Sequence, residues 1–221
     1  MPKEIDFITR IHTSTARDYL GRVNEADKSQ CAELALKWGF DYWDGDRKTG
    51  YGGYTYDGRW RPVAEAMATH YGLDQDSRIL DVGCGKGFLL YEFTQILPGC
   101  AVTGLDVSDY AIENAKPEIQ ACLRPGTAAA LPFDDDEFDF VYSINTLHNL
   151  FIDDLFASLH ELDRVSKSKS YLTIEAYRNE REKMNLLYWQ LTCRAFHTPE
   201  EWQWIFERAD YDGDFGFIYF E

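Results

Sequence analysis

The chain has 221 residues, of which 45% are hydrophobic and 27% charged, a balance that suits one globular domain with a sizeable core. Its formal net charge of −16 repels a phosphate backbone, and no run of lysine or arginine offsets it, so we expect no nucleic-acid partner. Five cysteines without C-x-x-C spacing exclude a disulfide framework and a zinc site, and they predict reduced thiols in the cytoplasm. No segment has the apolar length of a membrane span or the pattern of a signal peptide, so we expect no membrane association.

The N-terminal part of the chain is predicted to be helical. The segment "STARDYLGRV" is expected to form a short helix that starts with a capping box of Thr15 and Asp18. A second helix is expected near Asp27 and a third at Pro62, because proline favours the first helical position. Between them, "WDGDRKTGYGGYTYDGRW", residues 43–60, crowds glycines, aromatic rings and charges and fits no helical or strand period.

From residue 77 onward, short apolar runs alternate with helical segments. The predicted strands are "RILDV", "AVTGLDV", a weaker "CLRPGTA", "FDFVYSI" and "SYLTIEAY", and the helices between them are "FLLYEFTQIL", "YAIENAKPEI" and "DLFASLHELDRV". This alternation indicates βαβ units, so we predict an α/β fold with a mostly parallel sheet and helices on both faces. Two more helices, "EKMNLLYWQL" and "TPEEWQWIFERA", precede a final strand, "FGFIYFE".

The stretch "LDVGCGKGFLL", residues 80–90, places Gly83, Gly85 and Gly87 between a strand and a helix. Glycine lets a backbone approach a ligand where any Cβ would clash. Nineteen residues after the last glycine, Asp106 ends the next strand, where a carboxylate can accept hydrogen bonds from both hydroxyls of a ribose. A dinucleotide site needs its third glycine at the position of Phe88, so this G-x-G-x-G spacing does not match such a site.

The same spacing, with Asp81 inside the preceding strand, resembles motif I of the class I S-adenosylmethionine (SAM)-dependent methyltransferases. The segment "GTAAALPFDDDEFDFVYSINTLHNL", residues 126–150, is similar to the part of that family that runs from the third strand through the fourth. The resemblance covers residues 77–177 and implies a Rossmann-like fold, SAM as cofactor and S-adenosylhomocysteine (SAH) as product. Thr127 departs from the pattern, since many members have an acid there that meets the adenine amino group.

By this resemblance, the backbone at residues 127–128 borders the adenine, and residues 143–145 border the methionine part of SAM. The cofactor-binding residues predicted in this way are Asp81, Gly83, Cys84, Gly85, Gly87, Asp106, Val107, Thr127, Ala128, Asn145 and Tyr51. The predicted division is a helical cap with a lid in residues 1–72 and a SAM-binding core in residues 73–221, within one compact domain. The usual fold ends with two strands after the last helix, and this chain offers one, so a homodimer interface is one way to cover the open edge.

A narrower resemblance covers nearly the whole chain. The segments "TSTARDYL", "DYWDGDRKTGYGGYTYDGRW", "INTLHNL" and "NLLYWQLTC" together resemble a group of small bacterial methyltransferases that are often associated with surface-polysaccharide biosynthesis. This implies a small-molecule acceptor, such as a phosphorylated, carboxylated or nucleotide-linked sugar precursor.

Residues 43–60 are interpreted as a lid over the methionine end of SAM, because segments at this position in the superfamily commonly fold over it. Tyr51 and Tyr54 are expected near the sulfonium, which aromatic faces attract by cation–π interaction. Arg47 and Arg59 suit an anionic acceptor group. The alternative is a twisted hairpin whose arginines pair with the neighbouring residues Asp44, Asp46 and Asp57.

His148 follows the fourth strand, at the rim where open α/β sheets bind ligands, and can act as a general base or merely hydrogen-bond a loop. Asn145 is expected to orient the reactants, and Tyr177 and Arg178 lie at the same rim as candidate substrate-binding residues. The acidic run "DDDE" at residues 134–137 lacks spaced partners, so we predict no metal site.

The predicted reaction is in-line transfer of a methyl group from SAM to an acceptor oxygen or nitrogen, with the protein aligning donor and acceptor. Two alternatives stay open: a non-catalytic SAM-binding partner subunit, and another transferase of the same fold that uses decarboxylated SAM. Methylation of an acceptor would distinguish the predicted methyltransferase from both alternatives.

Overall fold

Six parallel strands form the centre of the molecule in the computed structural model, which describes residues 2–221. The strands lie in the order β3-β2-β1-β4-β5-β6. Their bounds are Arg78–Val82 (β1), Ala101–Asp106 (β2), Leu123–Pro125 (β3), Phe140–Ile144 (β4), Ser170–Glu175 (β5) and Asp214–Ile218 (β6). The predicted α/β fold with a parallel sheet is therefore confirmed. The order reverses between β1 and β4, which is the switch point where such sheets bind ligands.

Helices cover both faces of this sheet. Alternate residues of β1 point to opposite sides: Leu80 packs in the core cluster that includes Leu159 and Trp202, whereas Ile79 packs with Met67 and Phe93. The helices are Thr9–Thr13 (α1), Tyr19–Asn24 (α2), Lys28–Ala35 (α3), Phe40–Trp43 (α4), Arg61–Tyr71 (α5), Phe88–Ile96 (α6), Asp109–Glu113 (α7), Pro117–Gln120 (α8), Ile152–Val165 (α9), Glu180–Trp189 (α10) and Pro199–Arg208 (α11). None of the helices within residues 2–221 is long and apolar enough to cross a bilayer.

Two helix predictions were wrong in detail. The capping residue of α2 is Asp18, whose Oδ1 accepts from the Gly21 N–H at 2.8 Å, so Thr15 does not start this helix. The single helix expected over "YAIENAKPEI" is two short helices, because Pro117 lacks an N–H and instead starts α8. The capping box predicted for α11, with Thr198 and Glu201, is confirmed.

The outer edge of β6 is covered by the N-terminal segment of the same chain. The Ile5 N–H donates to the Phe215 carbonyl at 2.7 Å, and the Phe215 N–H donates to the Lys3 carbonyl at 3.0 Å. The parallel bridge between Glu4 and Phe215 belongs to the same pairing. The edge of β6 is therefore paired, and it no longer supports the expectation of a homodimer. The homodimer itself stays a prediction.

Candidate active site

The glycine loop between β1 and α6 brings bare backbone to the carboxyl end of the sheet. Gly83 has φ +86°, and a Cβ built there would lie 2.1 Å from the Thr146 Oγ1. Gly85 has φ +53°, and a Cβ there would lie 2.7 Å from the indole ring of Trp43. Both residues therefore need the left-handed backbone and the missing side chain of glycine.

Asp106 stands at the end of β2, beside this loop, as predicted. Its Oδ2 accepts from the Gly85 N–H at 2.7 Å and its Oδ1 from the Ser108 N–H at 2.8 Å. Burial raises the pKa of Asp106, and these backbone donors oppose that rise. An ionised carboxylate can accept about four hydrogen bonds, so acceptor capacity remains for a ribose.

A cavity of about 380 Å³, here called the donor cavity, opens between the glycine loop, the end of β2 and the loop after β4. Aromatic residues of the N-terminal part, including Trp38, Tyr42 and Trp43, close its outer side. Seven of the predicted cofactor residues line it: Gly83, Asp106, Val107, Thr127, Ala128, Asn145 and Tyr51.

The other four predicted cofactor residues lie behind the wall of the donor cavity. The Cys84 side chain is part of the buried core, and Gly87 caps α6 beneath Ile119. Gly85 is covered by Trp43. The Asp81 carboxyl is buried, and burial raises its pKa well above the usual range. None of these four residues lines the donor cavity, and their role in cofactor binding stays a prediction.

A second cavity of about 460 Å³, here called the acceptor cavity, adjoins the first. Tyr42, Tyr51, Asn145 and Asn149 line both cavities and so form the boundary between them. Four of the predicted catalytic or substrate-binding residues line the acceptor cavity in addition to Asn145: Arg47, Tyr54, Arg59 and His148.

Asn145 has a strained backbone at this boundary. Its φ is +55°, which is uncommon for a residue with a side chain, and its Oδ1 is buried without a hydrogen-bond partner among residues 2–221. Its backbone is held in place by two contacts: the Asn145 N–H donates to the Thr173 carbonyl at 2.9 Å, and the Asn149 amide donates to the Asn145 carbonyl at 3.2 Å. Strain of this kind clusters at functional sites, and the orphaned oxygen is available to a ligand.

Three arginines surround the indole of Trp189 on the wall of the acceptor cavity. The Cζ atoms of Arg17, Arg22 and Arg47 lie 5.3, 4.5 and 5.1 Å from its ring centroid. Among the ion pairs formed by residues 2–221, none involves these three side chains, here called the arginine cluster. Burial lowers the pKa of each guanidinium, and the charge of Arg47 lowers those of the other two further.

The arginine cluster keeps free donors. Arg17 donates to the His12 and Thr15 carbonyls, and its Nε is buried without a partner. The Arg22 Nε donates to the Trp189 carbonyl at 2.8 Å, and one of its Nη atoms donates to the Arg47 carbonyl at 2.9 Å. Three cations without a carboxylate partner within 4 Å among residues 2–221, in one cavity of a chain with net charge −16, point to an anionic ligand.

Glu175 and His148 lie side by side in the same cavity. The His148 Nδ1 accepts from the Glu175 backbone N–H at 3.3 Å, so the ring carries its proton on Nε2, which is 3.5 Å from the Glu175 Oε2. Burial lowers the pKa of His148 to about 3 and raises that of Glu175 to about 8. In this tautomer no ring lone pair of His148 is free, so the geometry favours its hydrogen-bonding role over the predicted base.

Residues 43–60 lie over the glycine loop and are firmly attached to it. The Lys86 Nζ lies 2.7 Å from the nearer Asp44 carboxylate oxygen and donates to the Tyr54 carbonyl at 2.9 Å. The Tyr54 ring stacks on Phe88 with centroids 5.0 Å apart. The hairpin alternative is met in one part: the Arg59 guanidinium lies 2.5 Å from the Asp57 carboxylate. Arg47 forms no ion pair with residues 2–221, and residues 43–60 contain no hairpin.

Two predicted substrate residues lie outside both cavities. Arg178 pairs with Glu182 at 2.6 Å and with Glu221 at 2.5 Å, and its guanidinium lies over the Tyr219 ring. Tyr177 follows β5 but borders neither cavity. No group of three or more metal-binding side chains that could hold an ion occurs within residues 2–221, and the absence of a metal requirement stays a prediction.

Charged and aromatic residues of the acceptor cavity that sequence reasoning missed include Arg17, Arg22, Glu175 and Trp189. A signal existed for Glu175, because it ends a predicted strand at the carboxyl edge of the sheet. The two arginines belong to the short N-terminal segments, where isolated charges usually face solvent, and nothing local distinguishes them.

Comparison with known proteins identifies the central part of the chain. Residues 80–174 match the family model described as "Methyltransferase domain". The demethylmenaquinone methyltransferase of Roseiflexus castenholzii is 33% identical over 114 residues, which are 50% of this chain and 46% of that protein. The malonyl-[acyl-carrier protein] O-methyltransferase of Erwinia billingiae is 35% identical over 107 residues, which are 48% and 41%. The chain thus spans less than half the length of these relatives.

Solved structures share the fold. The YcgJ protein of Bacillus subtilis aligns with a TM-score of 0.54 and 23% identity, over 66% of each chain. A SAM-dependent methyltransferase of Methanosarcina mazei aligns with a TM-score of 0.52 and 22% identity, over 64% of this chain and 82% of that one. Residues 80–174, with the glycine loop, Asp106 and strands β1 to β5, are therefore similar to a methyltransferase domain, and the solved structures share its fold.

Proposed function

We propose that the protein transfers a methyl group from SAM to an oxygen or nitrogen of a small anionic acceptor. The observation that carries this proposal is the adjacency of the two cavities. A donor cavity of the methyltransferase type shares a wall with a cavity that presents three arginines without carboxylate partners. An acceptor held by the arginine cluster then lies beside the cofactor.

The residues of the donor cavity fit SAM. The remaining acceptor capacity of Asp106 suits the ribose hydroxyls, and the backbone at Thr127 and Ala128 borders the place expected for the adenine. The bare backbone of Gly83 and the orphaned oxygen of Asn145 suit the methionine part, whose ammonium can donate to that oxygen. When bound, SAM supplies a methyl group that a sulfonium activates for transfer.

The contribution of the chain is alignment and exclusion of water. Tyr42 and Tyr51 separate the two cavities, and aromatic faces stabilise a nearby cation by roughly 0.5–2 kcal/mol. Tyr51 also stacks on Trp43, with ring centroids 5.4 Å apart and planes 10° apart. A rigid aromatic wall of this kind favours one direction of approach, which in-line transfer requires.

The predicted division of the chain acquires a functional meaning in this proposal. The arginine cluster comes entirely from residues 1–72, whereas Asp106, Thr127 and Asn145 come from residues 73–221. The cap then selects the acceptor, and the core holds the donor. We retain the lid role of residues 43–60 as a prediction about motion.

The acceptor class that we favour is a phosphorylated, carboxylated or nucleotide-linked sugar precursor of a surface polysaccharide. The planar forks of arginine match phosphate and carboxylate groups, and the segments shared with small bacterial methyltransferases suggest the sugar. We assign the reaction to the cytoplasm, in keeping with five cysteines that are all free thiols.

The test is a mass-spectrometric screen of such precursors with the protein and SAM. We expect one acceptor to gain a single methyl group while SAH accumulates. Asp106→Ala protein is the control for background transfer. Tight SAH binding without turnover of any precursor would instead favour the non-catalytic SAM-binding subunit, and turnover of decarboxylated SAM alone would favour the other transferase.

A further inference from the structure

Glu175 is a buried carboxylate that faces the acceptor cavity with one oxygen unpartnered. The residue is 2% exposed at the carboxyl end of β5. Its Oε1 accepts a hydrogen bond from the Gln190 amide, whereas its Oε2 has no nitrogen or oxygen donor in good hydrogen-bond geometry among residues 2–221. The His148 Nε2 lies 3.5 Å from Oε2, and the Cys193 thiol is a weak donor to the same carboxyl group. An unpaired buried oxygen is costly, so its place on a cavity wall suggests that a ligand completes it.

The protein itself does not neutralise this carboxylate. Among residues 2–221, His148 is its one ion-pair partner within 4 Å, and that ring is neutral because burial holds its pKa at about 3. The other ionisable groups that act on Glu175 or are acted on by it are Arg17, Cys193, Tyr42 and Tyr51. Burial raises the pKa of the Cys193 thiol and of the Tyr42 and Tyr51 phenols, so these three groups stay uncharged. The guanidinium of Arg17 opposes the rise in the pKa of Glu175.

The acceptor cavity therefore presents cations at one place and an acid, charged above about pH 8, at another. The arginine cluster supplies the cations, and Glu175 supplies the acid, whose charge acts on two tyrosines of the cavity wall. The same wall contains Asn145, Tyr42 and Tyr51. Because the last three also line the donor cavity, the end of the acceptor that receives the methyl group lies on the Glu175 side.

We propose that the acceptor carries an amine in addition to its anionic group, and that Glu175 binds this amine as an ammonium ion and takes its proton before transfer. This inference rests on the proposed function and narrows its oxygen-or-nitrogen alternative to nitrogen. An ammonium group has three donors, one of which can satisfy the Glu175 Oε2.

The proton affinities favour an amine over a hydroxyl. Burial raises the pKa of Glu175 to about 8, and an ordinary alkylammonium has a pKa of about 10. Proton transfer between such groups is nearly balanced, which is the condition for an effective base. An alcohol holds its proton far more tightly than either group.

The atoms and charges balance along this route. The acceptor ammonium gives one proton to the Glu175 carboxylate, which becomes a neutral carboxylic acid, and the nitrogen gains a free lone pair. That lone pair forms the new N–C bond to the methyl carbon as the C–S bond breaks, and the electron pair of the broken bond stays on sulfur, giving SAH. The product is an N-methylammonium ion, and Glu175 releases its proton to solvent.

Calorimetry with matched probes tests the proposal without knowledge of the natural acceptor. Ethyl phosphate, 2-hydroxyethyl phosphate and 2-aminoethyl phosphate differ only at the end remote from the anion. Each is titrated into the protein saturated with SAH, together with longer-chain homologues and the corresponding carboxylates. We expect the best aminoalkyl probe to bind roughly ten- to hundred-fold more tightly than its alkyl match, as a charge-assisted hydrogen bond implies.

Variants assign that preference to one side chain. In Glu175→Gln the amine should bind within a few-fold of its alkyl match, since the amide keeps the shape but loses the charge. Glu182→Gln is the matched control, because Glu182 is also buried but pairs with Arg178 outside both cavities, and it should keep the full preference. A preference that survives Glu175→Gln would overturn the proposal.

The remaining outcomes separate this inference from the proposed function. If SAH and the alkyl probes bind but the amine adds nothing, the amine proposal fails and the anionic-acceptor function stands. An equal gain from the hydroxyl probe overturns the choice of nitrogen. If neither SAH nor any anion binds, the proposed function itself fails.

A measurement on the unsubstituted protein tests the proposal even if the Glu175→Gln variant does not fold. Glu175 is neutral well below pH 8 and charged above it, so the amine preference should grow as the pH rises from about 6.5 to 8. The alkyl probes should show no matching rise over the upper part of this range. An amine preference that is flat or that falls with rising pH contradicts pairing with Glu175.

Discussion

The donor cavity and the acceptor cavity share a wall but draw on different parts of the molecule. The donor cavity lies at the carboxyl ends of β1, β2 and β4, where Gly83 and Asp106 are fixed by the sheet itself. The acceptor cavity takes its arginine cluster from the cap and Glu175 from the end of β5. The first offers backbone and one carboxylate to a ribose, and the second offers three cations and an orphaned anion. The comparison leads to the proposal that the sheet fixes the donor while the cap contributes the cations that select the acceptor.

The largest expected effect is that of a substitution at Gly83, on the donor side. A Cβ in Gly83→Ala meets the Thr146 side chain at 2.1 Å in a left-handed backbone, so we expect destabilisation by about 3–5 kcal/mol and loss of measurable SAH binding. Thermal unfolding and calorimetry with SAH measure both effects.

Gly72→Ala is the matched control for backbone strain. Its φ is +59°, but nothing lies within 4 Å of the added Cβ, so it should cost only about 1–2 kcal/mol and leave SAH affinity intact. Equal losses in the two variants would mean that strain alone, and not the closed space beside Thr146, sets the requirement for glycine.

The next effect concerns the attachment of residues 43–60, which border both cavities. Lys86→Met leaves Asp44, whose side chain is 22% exposed, without its cation, so local opening of this segment should become easier by about 2–3 kcal/mol. Hydrogen exchange should rise across residues 43–60 and fall again when SAH binds. High protection that neither the variant nor SAH alters would exclude a moving lid and make this segment part of the scaffold.

The donor side alone is weakened by Asp106→Ala. The variant removes the acceptor for the Gly85 and Ser108 N–H groups and for the ribose, so SAH affinity should fall by roughly 1.5–3 kcal/mol. Calorimetry should show unchanged binding of ethyl phosphate, because that probe occupies the acceptor cavity. Unchanged SAH affinity would remove Asp106 from the ribose site.

The smallest expected effect is a loss of affinity in the acceptor cavity alone. Arg47→Lys keeps the charge but loses the planar fork, so ethyl phosphate should bind about tenfold more weakly while SAH affinity stays constant. Arg124→Lys is the control, since Arg124 stacks on Phe133 outside both cavities and should change neither ligand. Weaker SAH binding in Arg47→Lys would show that the two cavities are coupled.

The donor side was predictable because its signals are local. The strand "RILDV" matches β1 from Arg78 to Val82, and the glycine spacing and Asp106 follow within one βαβ unit. The acceptor side depends on tertiary contacts. Arg22 lies in α2 and meets Trp189 because α2 packs against α10, and Arg17 precedes this helix and reaches the same ring. No period or spacing in the sequence encodes these contacts.

Local competition explains the smaller errors. Both Thr15 and Asp18 can cap a helix, and the carboxylate that bonds the Gly21 N–H prevails over the hydroxyl three residues earlier. For His148 the sequence left a base and a hydrogen bond to a loop equally open, and the base stays a prediction that the geometry disfavours, because the Glu175 N–H that occupies its Nδ1 comes from a different strand. Such a contact becomes visible only once β4 and β5 are paired.

The pairing of residues 3–5 with β6 has a consequence for the order in which the molecule assembles. These residues are made before strands β1 to β6, and they acquire their partner only when β6 emerges, about 210 positions later. Closing so long a loop is entropically costly and late, and the ring of His12, which bonds the Tyr219 carbonyl at 2.9 Å, is fixed in the same step. Arg17 donates to the His12 carbonyl, so the acceptor cavity takes shape after the donor half has folded. A newly made chain should therefore become competent to bind SAH before it can bind an anion.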